Sequence, residues 1–151
     1  FVKIFVNFVV KTKNMIKSNQ LVINIGWLHT EVNVFFDKDI NSCLRQLVND
    51  YPWLIEYDDS DPCTTGMTIV DDIHPSDCFI FIKDDDSEPA ILDTIIHECF
   101  HACFGILDAH GINLTVDSNE VGAYFNAYLV KQITTFYNDY RINLIDTKGK
   151  T

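Results

Sequence analysis

Apolar and polar positions alternate over residues 21–28, LVINIGWL, and the β-branched setting predicts a half-buried strand. Residues 31–36, EVNVFF, read as its hairpin partner across a short turn. The period then changes. Ile40, Cys43, Leu44, Leu47 and Val48 recur at helical spacing, Asp39 stands where a cap belongs, and Pro52 lies just beyond, which predicts a helix over 40–50. A polar, turn-rich stretch, 56–65, leads to a short strand at 66–70. The compact apolar run 78–82, CFIFI, fits a buried strand. Ser87 and Pro89 suit a helix start, and the segment 88–109 runs unbroken to Gly111, a natural stop. Asp117 or Ser118 can cap a second helix that continues towards residue 138. Strands, a helix, strands and two long helices predict an α+β fold, a small mixed or antiparallel sheet with the long helices on one face.

Composition narrows the function. The 151 residues suit one domain, 1–151, with 47% hydrophobic and 22% charged residues, enough to bury a core without disulfides. The net charge of -11 argues against a nucleic-acid partner, which needs a basic face, and against anionic lipid. Five cysteines without regular spacing or a CxxC pair read as reduced core thiols in an intracellular, cytoplasmic setting. The run 1–10, FVKIFVNFVV, is too short to span a bilayer, and Lys3 and Asn7 interrupt it as a signal peptide. It is an edge strand, or 1–14 is an N-terminal extension, with Met15 as a natural start or the numbering beginning inside a longer product. Asp84, Asp85 and Asp86 lack the spacing of a calcium loop and read as a solvated loop before the helix.

Inside the strongest predicted helix stands His97-Glu98-Cys99-Phe100-His101, an H-E-x-x-H motif. Helical geometry puts His97 and His101 one turn apart on one face, where two imidazoles can grip one zinc ion. Glu98, about 100° further round, can act as general base on a water that zinc activates. With five His and five Glu in the chain, a chance match is on the order of 0.5%. Ile91, Ile95, Cys99 and Cys103, with Ile96, Phe100 and Phe104, give the polar trio apolar surroundings, in which it would be costly without a metal. A catalytic zinc usually takes three protein ligands. Glu120, nineteen residues after His101, is the candidate third, since a helix returning after Gly111 brings its first turn beside the motif. Asp117-x-x-Glu120 is also a capping box, the alternative to the favoured ligand role. Asp117 and His110 are reserve ligands, His110 being better placed as a helix-end or surface residue.

HECFH followed by Ser118-Asn119-Glu120-Val121-Gly122-Ala123 resembles the gluzincins, the thermolysin-like zinc metallopeptidases. The likeness covers residues 91–127 specifically. The whole chain is more loosely similar to small metallopeptidase-like proteins of tailed phages and prophages. The resemblance implies a zincin-like fold, His97, His101 and Glu120 as zinc ligands, Glu98 as general base, and a peptide or protein substrate. Two features depart from the pattern. Tyr124 stands where larger relatives have an Asp supporting a zinc-bound His, and the C-terminal domain that supplies transition-state donors is missing. Tyr124 or Tyr128 could donate a phenol instead, although both suit core packing. The strand 78–82 would pair with an extended peptide if it were an edge, and His74 with Asp71 and Asp72 lies in a loop of unknown reach.

Three readings follow. One is a zinc-dependent peptidase. Another is an interaction or phage assembly protein with a structural zinc or a lost activity. The third keeps the zinc hydrolase with a cell-wall amide as substrate. Glu98 favours hydrolysis, because a structural metal would not need it.

Overall fold

A computed structural model describes residues 19–57, 65–84, 88–115 and 119–148. The N-terminal run 1–14, Cys63, Asp85, Asp86, the cap expected at Ser87, and Asp117 and Ser118 lie outside these residues. The elements are β1 (Gln20–Ile25), β2 (Thr30–Asp37), α1 (Ile40–Leu47), a 3-10 turn (Pro52–Tyr57), β3 (Gly66–Val70), β4 (Asp77–Lys83), α2 (Glu88–Ala109) and α3 (Asn119–Lys148). The four strands form one mixed sheet in the order β1-β2-β4-β3. The outer pairs are antiparallel and the central β2–β4 pair is parallel.

The two-residue period of the strands sorts the core into two layers. Leu21, Ile23 and Ile25 of β1, Val32, Val34 and Phe36 of β2, and Cys78, Ile80 and Ile82 of β4 face the long helices. Phe35, Ile69, Phe79 and Phe81 face α1 and the 3-10 turn, packing with Ile40, Leu44 and Leu54. β4 is buried on both faces, which is why its sequence is a continuous apolar run. It lies inside the sheet, paired on both sides, so it cannot receive a peptide; among the described residues the edges are β1 and β3. The fold is thus α+β as expected, with the difference that α1 covers the face opposite the two long helices.

β1 ends at Ile25, three residues before the expected boundary. The chain turns over Gly26 to His29, with His29 at φ 54, and Leu28 N–H donates to Ile25 O at 2.9 Å. Asp39 caps α1 by accepting from Ser42 N–H at 3.0 Å. That helix stops at Leu47, and Pro52 opens the 3-10 turn. α2 closes at Gly111, whose φ of 69 suits a residue without a Cβ. Its N–H donates to Asp108 O and the Ile112 N–H donates to Leu107 O, both at 2.8 Å, the paired bonds of a glycine-terminated helix.

α2 is apolar and long enough, by length and composition, to cross a membrane. Here it is a core helix. Ile91, Ile95, Cys99, Ala102, Cys103, Ile106 and Leu107 are fully buried against the sheet and α3. Full burial of each larger aliphatic stabilises by roughly 1.5–3 kcal/mol. α3 runs to Lys148, ten residues past the expected end, because no breaker intervenes and Phe136, Tyr137 and Tyr140 stack on Phe36. Near its end, the Tyr140 hydroxyl donates to Asp84 Oδ2 at 3.0 Å and Arg141 reaches Asp84 Oδ1 at 3.4 Å, so Asp84 is an anchor, not a solvated loop residue.

Candidate active site

Helix geometry brings the expected histidine pair together, and the two rings meet in a hydrogen-bond contact. His97 and His101 lie on successive turns of α2, and their Nε2 atoms are 3.0 Å apart. Two nitrogens about 2.0–2.1 Å from a tetrahedral ion sit about 3.4 Å apart, so a small opening of the pair admits one. Both imidazoles are exposed, in contrast to the expected apolar enclosure. Ile96, Phe100 and Phe104 do not enclose them either: at 51%, 50% and 44% exposure they form an outward row beside the pair.

Glu98 differs from its neighbours. It is 5% exposed and turned towards edge strand β3. The Thr68 hydroxyl donates to Glu98 Oε2 at 2.7 Å and also lies 3.1 Å from the Glu98 carbonyl oxygen. Gly66 is the point of closest approach. A Cβ there would meet Thr94 Cγ2 at 2.6 Å and both Cγ and Oε1 of Glu98 at 2.8 Å. One helical turn past His101, Gly105 lets Val70 approach, since a Cβ at Gly105 would lie 3.0 Å from two Val70 carbons. Gly66, Thr68, Val70, His97, Glu98, His101 and Gly105 together line a cleft of about 450 Å³.

Sequence reasoning missed the β3 half of this cleft. Two signals were present. A glycine inside an apolar helix costs about 1 kcal/mol against alanine, which marks Gly105 as a site of close approach. The alternation in GMTIV puts the small and polar residues Gly66 and Thr68 on the face opposite Met67 and Ile69.

The other expected residues are placed elsewhere. Glu120 is exposed in the first turn of α3 and does not line the cleft. Among the described residues no three His, Cys, Asp or Glu side chains converge to hold a metal, so the two histidines fit an ion without a third protein donor beside them. Tyr124 is 74% exposed, so it is not core, and it does not line the cleft. Tyr128 is half-buried, and burial raises its hydroxyl pKa. His110 is a fastening between elements: Nδ1 is 2.8 Å from Ile106 O in its own helix and Nε2 is 2.8 Å from Leu28 O in the β1–β2 turn. His74 stacks on Trp53 at 4.8 Å with 3° between the rings, and Asp71 lies 3.6 Å from it, outside the cleft lining.

Behind the motif, Cys78, Cys99 and Cys103 are buried and reduced. Burial, reinforced by the neighbouring acidic groups, keeps the Cys78 thiol far above its usual range. Burial also lifts Cys99 to about 12, with help from Glu98, and Cys103 to about 11. These thiols are apolar filling, not nucleophiles. Comparison with protein-family models, curated proteins and solved structures finds no match to this chain.

Proposed function

We propose that the chain is a metal-dependent hydrolase of the H-E-x-x-H type, zincin-like in its fold, acting on peptide bonds. The observation that carries this reading is the convergence of His97 and His101 at 3.0 Å beside a buried, hydrogen-bonded Glu98 on one open cleft. In this reading His97 and His101 hold zinc through Nε2. Glu120, in the helix that packs against α2, is the protein donor closest to the gluzincin pattern. Zinc supplies Lewis acidity, lowering the pKa of water towards neutrality and polarising a carbonyl.

The chain's own residues do the rest. Glu98 accepts a proton from the attacking water as the water oxygen bonds to the carbonyl carbon. It then gives that proton to the leaving nitrogen as the C–N bond breaks. β3 is an edge strand on the cleft wall, and an extended peptide laid along it would gain main-chain hydrogen bonds. A second reading, an interaction or assembly protein on the same scaffold, draws on the outward row Ile96, Phe100 and Phe104.

Zinc content and proteolysis decide between them. Wild type should bind one zinc per chain and cleave a quenched casein substrate. Glu98→Gln should keep the zinc and lose cleavage, and His97→Ala or His101→Ala should lose both. Equal turnover in Glu98→Gln refutes the mechanism.

A further inference from the structure

We infer that Thr68 is a positioning residue for Glu98, holding its carboxyl group in one place against the cleft wall. The inference rests on the reading of Glu98 as that base. Thr68 Oγ1 lies 2.7 Å from Glu98 Oε2 and 3.1 Å from the backbone carbonyl oxygen of the same residue. A hydroxyl carries one donor proton and two acceptor sites, and its proton rotates to suit. The Thr68 O–H donates to Oε2, and its oxygen also lies within hydrogen-bond distance of the Glu98 carbonyl oxygen, so one hydroxyl faces both the side chain and the backbone of Glu98.

The surroundings make this contact a constraint. Glu98 is 5% exposed, so a lost partner on its buried side is costly. Oε1, the oxygen that Thr68 does not bind, lies against Gly66 in the cleft wall, where even a methyl group would come within 2.8 Å. The carboxyl group is therefore held by the hydroxyl on one oxygen and by the bare strand backbone at the other. Thr68 acts through Glu98, from a strand whose own position is set by pairing with β4, Thr68 opposite Ile80.

Thr68→Val keeps the shape and removes the hydroxyl, and Thr68→Ser keeps the hydroxyl. Both are compared with wild type and Glu98→Gln for zinc stoichiometry and for hydrolysis of quenched casein with zinc added. Thr68→Val should bind zinc as wild type does and lose about 10- to 100-fold in kcat with KM unchanged. Thr68→Ser should recover most of that loss, a rescue that a packing role would not give. If the valine variant does not fold, Thr68→Ala makes the same comparison. Wild-type turnover in the valine variant, beside an inactive Glu98→Gln, overturns the inference and leaves the proposed function standing. Zinc loss in both the valine and serine variants also overturns it. If wild type cleaves nothing, the proposed function fails, and crystal structures of the metal-free wild type and valine variant decide the positioning role. A Glu98 carboxyl group that leaves the Gly66 wall in the variant supports it, and an unmoved one refutes it.

Discussion

Gly66→Ala should destabilise the protein and disable the site together. The added Cβ would sit 2.6 Å from Thr94 Cγ2 and 2.8 Å from Glu98 Cγ and Oε1. Carbon atoms rest at about 3.5–4.0 Å, so something must give by about 1 Å. Neither neighbour yields easily. Thr94 is β-branched, and its hydroxyl donates to Ala90 O at 3.0 Å within the helix. Glu98 is buried and fastened to Thr68. The cheapest relief is outward movement of β3, which loosens its pairing with β4. Overpacking of this kind costs about 1–3 kcal/mol. The smaller entropy of the unfolded alanine chain returns about 0.4–1 kcal/mol. The net loss is about 1–2 kcal/mol, a fall of about 3–8 °C in Tm for a chain of this size. Calorimetry of the metal-free protein measures it. Gly122→Ala is the control. Its added Cβ would meet the end of the Leu114 side chain at 2.8 Å, a group that can rotate away, so its Tm should fall less. An unchanged or raised Tm in Gly66→Ala would refute the close packing of β3 on α2. Hydrolysis should fall in Gly66→Ala while zinc stays bound, because the atoms nearest the new methyl group belong to Thr94 and Glu98.

Three further outcomes follow from the core. With its thiol raised to about 12, Cys99 is about 1 part in 10,000 thiolate at pH 8, so a thiol reagent on the native protein should modify half-buried Cys43 well before Cys78, Cys99 or Cys103, and peptide mapping reads the order. Folded thiol values above the unfolded ones mean that their stabilisation is complete below about pH 9 and lost as pH rises through 9 towards 11–12. The unfolding free energy from denaturant titration should therefore fall by up to about 1.4 kcal/mol per thiol per pH unit, and a flat profile would contradict the burial. Tyr140→Phe removes the donor to Asp84 and should cost about 1–2 kcal/mol by urea unfolding, with no effect on zinc binding; no loss would mean that Asp84 does not anchor α3.

The parts legible in the sequence were those set by local rules. The alternation of Leu21, Ile23 and Ile25 decides which face of β1 is buried. The Asp39 cap and the Gly111 stop follow from backbone groups that must find partners within a few residues. The convergence of His97 and His101 is a consequence of four-residue spacing on a helix. The parts not legible depend on which elements become neighbours. Nothing in CFIFI says that it will be flanked by β2 and β3, and nothing in GMTIV says that it will be the edge lying on α2. Glu120 illustrates the same limit. Its place in the first turn of a helix is local, but its distance from His97 depends on how the connection after Gly111 aims α3, and sequence spacing does not determine that aim.

Why the cleft opens beside β3 follows from the topology. β2 and β4 are parallel neighbours, so the chain between them must cross over, and it does so through α1, the 3-10 turn and β3. β3 then adds antiparallel to the outer side of β4 and becomes an edge. α2 begins soon after β4 and returns across the sheet, so its flank meets whichever strand lies outermost. An inner strand there would put a further strand over the histidines and bury them. An edge strand leaves His97 and His101 exposed while Thr68 and Gly66 still reach Glu98. One placement thus yields two environments within about one turn of helix, open for the pair that would hold a metal and enclosed for the carboxylate beside it. That division is what a hydrolytic site needs and what a helix face alone cannot supply.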